Sequence, residues 1–374
     1  MSTQANQKSK PSSRRKFLLA AGATGAAAVA MPQVSRAQTI TWKYQSTWPT
    51  KDIFHEFAVD YAKKVNDMTG GRFKLDVLAA GAVVPAFQMQ DAVHAGILEA
   101  GHGVCAYWYG KHKAYSLFGT PPSFGWDGFS LLAWFYTGGG EALYKELVND
   151  MLKLNLVGLL YYPQGTQPLG WFKKEIKSGD DLKGMKYRTV GLSADLFKEM
   201  GASVTILPGG EIVPAMDRGL IDAAEFNNPS SDLLLGFPDV SKFYMMGSHH
   251  QPTECFEVLF NKAKFDALAP ELKAILRNAA HAASADNYYT AHDRFPKDLE
   301  EIRKRNVQVF HTSETVLNTQ LAAWDRVLAE QTKEPFFKKV IDSQKAWVKR
   351  TQPYFDVASL STYERAMAYK HFFG

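Results

Sequence analysis

The sequence predicts an α/β protein of two lobes, and three observations point there. Between Gly184 and Asn228 the chain alternates short extended runs with short helices in the order β-α-β-α-β, and between Thr39 and Tyr107 it does so again. Units of this kind build open, mostly parallel sheets. The third observation is length. With residues 1–37 set aside, roughly 335 residues remain, more than a single hydrophobic core holds. Two such lobes are expected to face each other across a cleft, with a helical tail behind them.

Residues 1–37 read as an export signal. Ser13-Arg14-Arg15-Lys16-Phe17-Leu18 is a twin-arginine pattern, and an Ala/Gly-rich run follows to Met31. That run is about 15 residues, short of the roughly 20 that a membrane span needs. Ser35-Arg36-Ala37 places small residues at the cleavage positions. The mature chain is expected to begin near Gln38, in the bacterial periplasm, after passage through the twin-arginine export machinery. The signal also carries the basic charge. The whole chain has 43 Lys+Arg against 38 Asp+Glu, and residues 1–37 hold six of the basic residues and none of the acidic ones. The remainder has a net charge of −1, so composition offers no support for a nucleic-acid partner.

From there the elements follow in order. Thr39–Ser46 alternates as a strand, and Asp52–Met68 is a helix with Phe54, Phe57, Ala58, Tyr61, Ala62 and Val65 on one face. Arg72–Leu78 is a strand, Phe87–Leu98 a helix and Gly103–Tyr107 a strand. Leu156–Tyr162 is a continuous apolar run suited to a central strand, and crossing to Gln164 enters the second lobe. There Met185–Val190, Val204–Leu207 and Asp222–Phe226 are strands, with helices at Ser193–Met200 and Glu211–Leu220, the latter fed by a Gly209-Gly210 loop. Phe243–Gly247 and Glu254–Asn261 read as strands returning to the first lobe. Lys262–Asp298 is helical, broken at Pro270 and Pro296, and Val307–His311 is a short strand. The expected division is 38–163 for lobe one with 253–312 returning to it, 164–252 for lobe two, and 313–374 for the C-terminal helices.

Few residue patterns suggest chemistry. Cys105 and Cys255 are the only cysteines, too few for a Cys-rich metal site or an iron–sulfur cluster. A bridge between them and two buried thiols are the alternatives. The adjacent His249 and His250 would point to opposite faces of a strand, which argues against a zinc site. No His-Glu-x-x-His, Gly-x-Ser-x-Gly, Cys-x-x-Cys or dinucleotide glycine fingerprint occurs. Arg188, near the end of a strand, stands out. A guanidinium is costly to bury unless paired, and its planar fork matches a carboxylate. The partner is either a ligand acid or an Asp or Glu of the same chain. Trp48 and the aromatic segment Tyr107–Asp127 either pack or cover the apolar part of a small ligand.

Four stretches carry a family resemblance: Gln164-Gly165-Thr166-Gln167 followed by Trp171-Phe172, Lys183 to Arg188, Pro208 to Ile212, and Gly219 to Phe226. In this order and spacing the chain resembles the solute-binding subunit of a TRAP transporter, in the branch that captures 2-oxo, 2-hydroxy and aromatic carboxylates. The resemblance implies the two-lobed periplasmic solute-binding fold, a hinge closing on a small organic anion, and delivery to membrane permease subunits without chemistry. It implies that Arg188 clamps the ligand carboxylate and that Gln167 reads the neighbouring oxygen. It also implies that Glu225 and the Phe226 carbonyl, with Gln167, hold a sodium or calcium ion bridging the ligand, and that the tail helices can pair two copies as a homodimer. Glu225 paired directly with Arg188 is the competing arrangement.

Two departures bear on this. Phe226 replaces the usual tryptophan, which a main-chain ligand tolerates. His249-His250-Gln251 stands where a Trp-Trp-Glu run is expected, so Gln251 offers the ligand or the ion an amide in place of a carboxylate. That leaves the ion open. Asn227, Asn228 and Ser230 suggest a ligand with additional polar groups. A periplasmic enzyme acting on an organic acid, or the ligand-binding subunit of a sensor, are the alternative functions.

Overall fold

The computed structural model describes residues 39–374, so the export-signal reading of 1–37 lies outside the described residues. Two mixed sheets organise the chain. The first has the order β2-β1-β3-β10-β4, built from β1 (Ile40–Ser46), β2 (Phe73–Leu78), β3 (Ala100–Val104), β4 (Leu156–Gln164) and β10 (Glu254–Asn261). The second has the order β11-β9-β5-β8-β6-β7, from β5 (Gly170–Phe172), β6 (Lys186–Arg188), β7 (Ser203–Thr205), β8 (Ala223–Ala224), β9 (Phe243–Met246) and β11 (Gln308–His311). Within each sheet the β-α-β units pair in parallel, as their crossover helices require. Strand β10 runs antiparallel between β3 and β4, and all eight of its residues are buried.

The helices follow from capping and periodicity. Helix α1 (Ile53–Met68) starts at Asp52, whose carboxylate accepts from the Phe54 amide at 3.0 Å. It buries the apolar face that its spacing predicts. In the second lobe lie α2 (Ser193–Glu199), α3 (Gly209–Asp217) and α4 (Pro229–Leu235). Helix α5 (Pro270–Lys304) is 35 residues long and packs on β4 and α1 of the first lobe and on α4 of the second. Helices α6 (Glu314–Gln331), α7 (Pro335–Ala358) and α8 (Thr362–Phe373) complete the tail. Among the described residues no helix is long and apolar enough to cross a membrane.

Several elements differ from expectation. Strand β3 ends at Val104, and Cys105–Trp108 is a 3-10 turn. The strand covers Gly101 and Gly103 because the neighbouring helical segment lies directly on it. A Cβ on Gly101 would sit 1.9 Å from the Met89 sulfur, so close packing selects glycines that strand propensity disfavours. The preceding helix is correspondingly short, Met89–His94. Helix α3 begins at Gly209 itself, so the two glycines are its first turn. Pro270 opens α5, where a missing N–H costs nothing, but Pro296 does not end it. Strands β9 and β11 both lie in the second sheet, paired with each other in parallel. The return to the first lobe is therefore β10 alone among the strands, and the segment from Gln308 is back in the second sheet. Cys105 and Cys255 are free, buried thiols.

Candidate functional site

The sheets meet where the chain crosses between them. The first crossing runs from Gln164 at the end of β4 to Gly170, and the second from Met246 to Glu254. The Gln167 amide donates to the Gln251 carbonyl at 3.1 Å, which ties the two crossings together. The Thr253 hydroxyl donates to the Gln164 carbonyl at 2.7 Å and reinforces the tie. Sequence neighbours of each crossing thus converge on one point between the lobes.

A small cavity lies there, with room for about one water molecule. Its lining includes Trp48, Tyr107, Gln167, Arg188, Phe226 and Gln251. Arg188 ends β6 and is 1 % exposed. Its Nε and Nη2 donate to the Leu207 carbonyl at 2.8 and 2.6 Å. Its Nη1 donates to the Glu225 carbonyl at 3.2 Å and to Glu225 Oε1 at 2.9 Å. The Phe226 ring lies under the guanidinium, 5.9 Å from its carbon. Of the two arrangements that the sequence left open, the described conformation has the internal Arg188–Glu225 pair.

Glu225 follows the short strand β8 and is fully buried. Its Oε2 forms no hydrogen bond among the described residues, although the Thr189 hydroxyl and Val190 amide lie near enough to favour its charge. Burial pushes the Glu225 carboxyl up to about 7 against the pull of Arg188. Phe226 stacks on Phe237 at 5.9 Å. Its ring also explains Gly209, since a Cβ there would lie 2.5 Å from a Phe226 ring carbon. Gln167 directs its Nε2 to Glu254 at 2.8 Å and leaves Oε1 without a donor among the described residues. Gln251 is wholly buried, and neither end of its amide finds a partner there. Trp48 packs on His102 at 4.8 Å and Phe256 at 5.2 Å and presents part of its surface to the cavity.

Glu254, which sequence reasoning passed over as the first residue of a strand, also lines this cavity. Its Oε2 accepts from Gln167 and from Asn227 Nδ2 at 2.6 Å. Burial pushes its carboxyl up to about 8; the Glu225 charge adds to this, while the Asn227 and Gln167 amides and Arg188 oppose it. No local signal separated it from Glu257 of the same run, whose carboxylate instead accepts from Trp108 and Tyr144 in the core. Of the aromatic segment, Tyr107 faces the cavity, while Trp108, Tyr115, Phe118 and Trp126 are buried in the core. Asn227 reaches the cavity directly, whereas Asn228 caps α4 through the Ser231 amide.

The histidines do not form a metal site. His250 is buried and pushed down to about 3 by desolvation and the nearby Arg188, so it stays neutral. His249 is half-buried, and its amide donates to Gln320 on α6. Among the described residues no three His, Cys, Asp or Glu side chains gather as a metal cluster. The cavity instead offers one guanidinium, the Glu254 carboxylate and amide oxygens, with Glu225 behind the guanidinium as its ion-pair partner. That set suits an organic anion and a hard cation, which prefers oxygen ligands. The buried Gln167 and Gln251 oxygens without donors fit such a cation.

Comparison with known proteins places the chain in a family. The model of the family described as bacterial extracellular solute-binding protein, family 7, matches residues 44–339. A monocarboxylate 2-oxoacid-binding periplasmic protein of Nostoc is 34% identical over 325 residues, covering 86% of this chain and 88% of that protein. A TRAP transporter solute-binding protein of Bordetella bronchiseptica, solved as a dimer with copurified calcium and picolinate, superposes with a TM-score of 0.83. It is 28% identical, and the match covers 90% of this chain and 98% of that one. A TRAP periplasmic solute-binding protein of Colwellia psychrerythraea with bound calcium and pyruvate gives a TM-score of 0.80 at 30% identity, covering 90% of this chain and 100% of that one. One from Pseudoalteromonas atlantica with bound sodium and pyruvate gives 0.81 at 30% identity, with the same coverage.

Proposed function

Because the chain belongs to the family 7 bacterial extracellular solute-binding proteins, the receptors of TRAP transporters, we propose that it captures a small carboxylate around Arg188 and hands it to membrane permease subunits. The observation that carries this reading is a buried guanidinium opening onto a cavity at the junction of two lobes. The ligand class is a 2-oxo, 2-hydroxy or aromatic acid, in keeping with the 2-oxoacid, pyruvate and picolinate bound by the relatives. Residues 13–18 supply the twin-arginine export signal, and the periplasm is the working compartment.

The described conformation is closed more tightly than such an acid allows. Both N–H groups of Arg188 Nη1 are engaged by Glu225, and Leu207 takes one of those on Nη2. A bidentate grip on a ligand carboxylate therefore requires Glu225 to give way. The lobes must part as well, by a hinge at the segments that cross between the sheets, α5 included. Glu225 thus serves as a place-holder that keeps the buried arginine paired while no acid is bound. Once displaced, its carboxylate, the Phe226 carbonyl and Gln167 Oε1 are the oxygens that would hold a sodium or calcium ion. When bound, that ion supplies positive charge to the oxygen beside the ligand carboxyl group.

The test is isothermal titration of the mature protein with pyruvate, lactate and picolinate, with calcium, with sodium and with a chelator. Preferential binding to the folded state also raises the melting temperature by mass action. Saturable binding of one acid class is the expected result. No binding of any carboxylate would overturn the reading.

A further inference from the structure

The cavity accounts for how an acid is held, and contacts outside it account for how the lobes stay shut over it. We infer that Asp195 is a latch: its carboxylate joins the two lobes and the tail at one point and sets how long a bound acid stays. This inference rests on the receptor reading above.

Asp195 lies in the first turn of α2, in the second lobe. Three donors converge on its Oδ2. The Tyr109 hydroxyl donates at 2.7 Å and Lys113 Nζ at 3.2 Å, both from the segment that follows β3 in the first lobe. Gln331 Nε2, at the end of tail helix α6, donates at 3.1 Å. Lys113 Nζ also lies 5.8 Å from the centre of the Tyr109 ring, so the two first-lobe donors form one unit. Beside them the backbones themselves come close. The Leu192 amide donates to Ser116 Oγ at 3.0 Å, across the lobes. Gly191 has a φ of +62°, and a Cβ there would lie 2.8 Å from Ser116 Oγ and 2.9 Å from Ala106 Cβ. Closure at this point therefore requires glycine.

Tyr109, Lys113, Asp195 and Gln331 all lie outside the cavity lining, so the latch acts on closure and not on the ligand. Parting of the lobes separates Asp195 from Tyr109 and Lys113 and returns each group to water. The closed state is favoured by the difference between these charge-assisted bonds and their hydration. The Lys113 side chain is 44 % exposed and that of Asp195 17 %. Water and salt therefore screen the ion pair, and the Tyr109 bond carries most of the effect. A bound acid leaves only after the lobes part, so the latch is read in the dissociation rate.

The experiment measures pyruvate association and dissociation by stopped-flow fluorescence for the mature wild type, Tyr109→Phe, Asp195→Ala and the double variant. Tyr109→Phe removes one hydroxyl from the first lobe and leaves α2 untouched. Each single variant should release pyruvate about tenfold faster, the low end of what a hydrogen bond to a charged group contributes. Each should associate no more slowly than wild type. The double variant should release pyruvate no faster than Asp195→Ala, because both changes break the same contact. Hydrogen exchange supplies a readout without ligand: the Leu192 amide should exchange faster in both single variants, with the amides of β10 unchanged. Wild-type dissociation rates in both variants overturn the latch and leave the receptor reading intact. So does association that slows in step, which marks damage to the cavity, and so do additive effects in the double variant. If the wild type binds no carboxylate, the receptor reading falls and exchange at Leu192 decides the latch alone. Faster exchange in both variants then supports it, and unchanged exchange overturns it.

Discussion

Arg188 is held by four hydrogen bonds before a ligand arrives, and three of them end on main-chain carbonyls. That anchoring explains how a single buried cation tolerates an exchange of carboxylate partners: the Leu207 contacts stay while Glu225 yields. Arg188→Ala should cost about 2–5 kcal/mol of acid affinity, the scale of removing one partner of a buried pair, and titration calorimetry reads it directly. Arg188→Lys keeps the charge but loses the planar fork, so it should bind with an intermediate loss. An alanine variant that binds as tightly as wild type would remove Arg188 from the clamp role. Of the residues marked in the sequence, Arg188, Gln167, Gln251, Trp48 and Phe226 share the cavity lining, and Glu225 joins through Arg188. Glu254 was not legible, because nothing local separates a strand residue facing a core from one facing a cavity.

At the scale of elements, the two lobes touch through helix ends. Asp52 caps α1, and its Oδ1 also accepts from the Ser231 hydroxyl of α4 at 2.6 Å. Burial pushes the Asp52 carboxyl up to about 7, against the Ser231 and Phe54 contacts. The folded state therefore keeps a proton that the unfolded chain loses near the ordinary carboxylate value. Over that window the folded state binds more protons, so this group's contribution to stability falls as pH rises from about 4 to about 7 and is level above. Asp232, also raised to about 7 by burial, acts in the same direction. Asn caps a helix as well as Asp does, so Asp52→Asn should gain in melting temperature relative to wild type as pH is raised through that window. A difference independent of pH would show that Asp52 is ionised in the fold. The start of α3 makes a second prediction. Gly209→Ala drives a methyl group into the Phe226 ring, and overpacking of this kind costs about 1–3 kcal/mol. Thermal melts should show that loss, together with weaker acid binding because the ring under Arg188 must move.

For the whole molecule the tail is the open surface. Helix α8 has no buried residue, and Tyr363, Met367, Tyr369, Phe372 and Phe373 are all exposed. Apolar area on this scale marks an association surface, and we propose that it pairs two copies as a homodimer; one relative was solved as a dimer. The mature protein should run as a dimer by light scattering, and removal of residues 359–374 should yield a folded monomer with unchanged acid affinity. A truncated protein that stays dimeric would place the interface elsewhere.

Local pattern determined much of this protein. The β-α-β units, the amphipathic face of α1, the helix start at Asp52, the break at Pro270, and the family-bearing stretches around Gln167, Arg188 and Glu225 are properties of contiguous residues. They could be read because periodicity and capping act over a few positions. Tertiary structure decided what depends on distant partners. It placed β9 and β11 in the second sheet, carried α5 through Pro296, and required glycines under Met89 in β3. It joined Gln167 to Gln251 across 83 intervening positions and brought Glu254 beside both, making one cavity of two crossings. The lining of that cavity is set by contacts between distant positions, which leave no mark on local pattern.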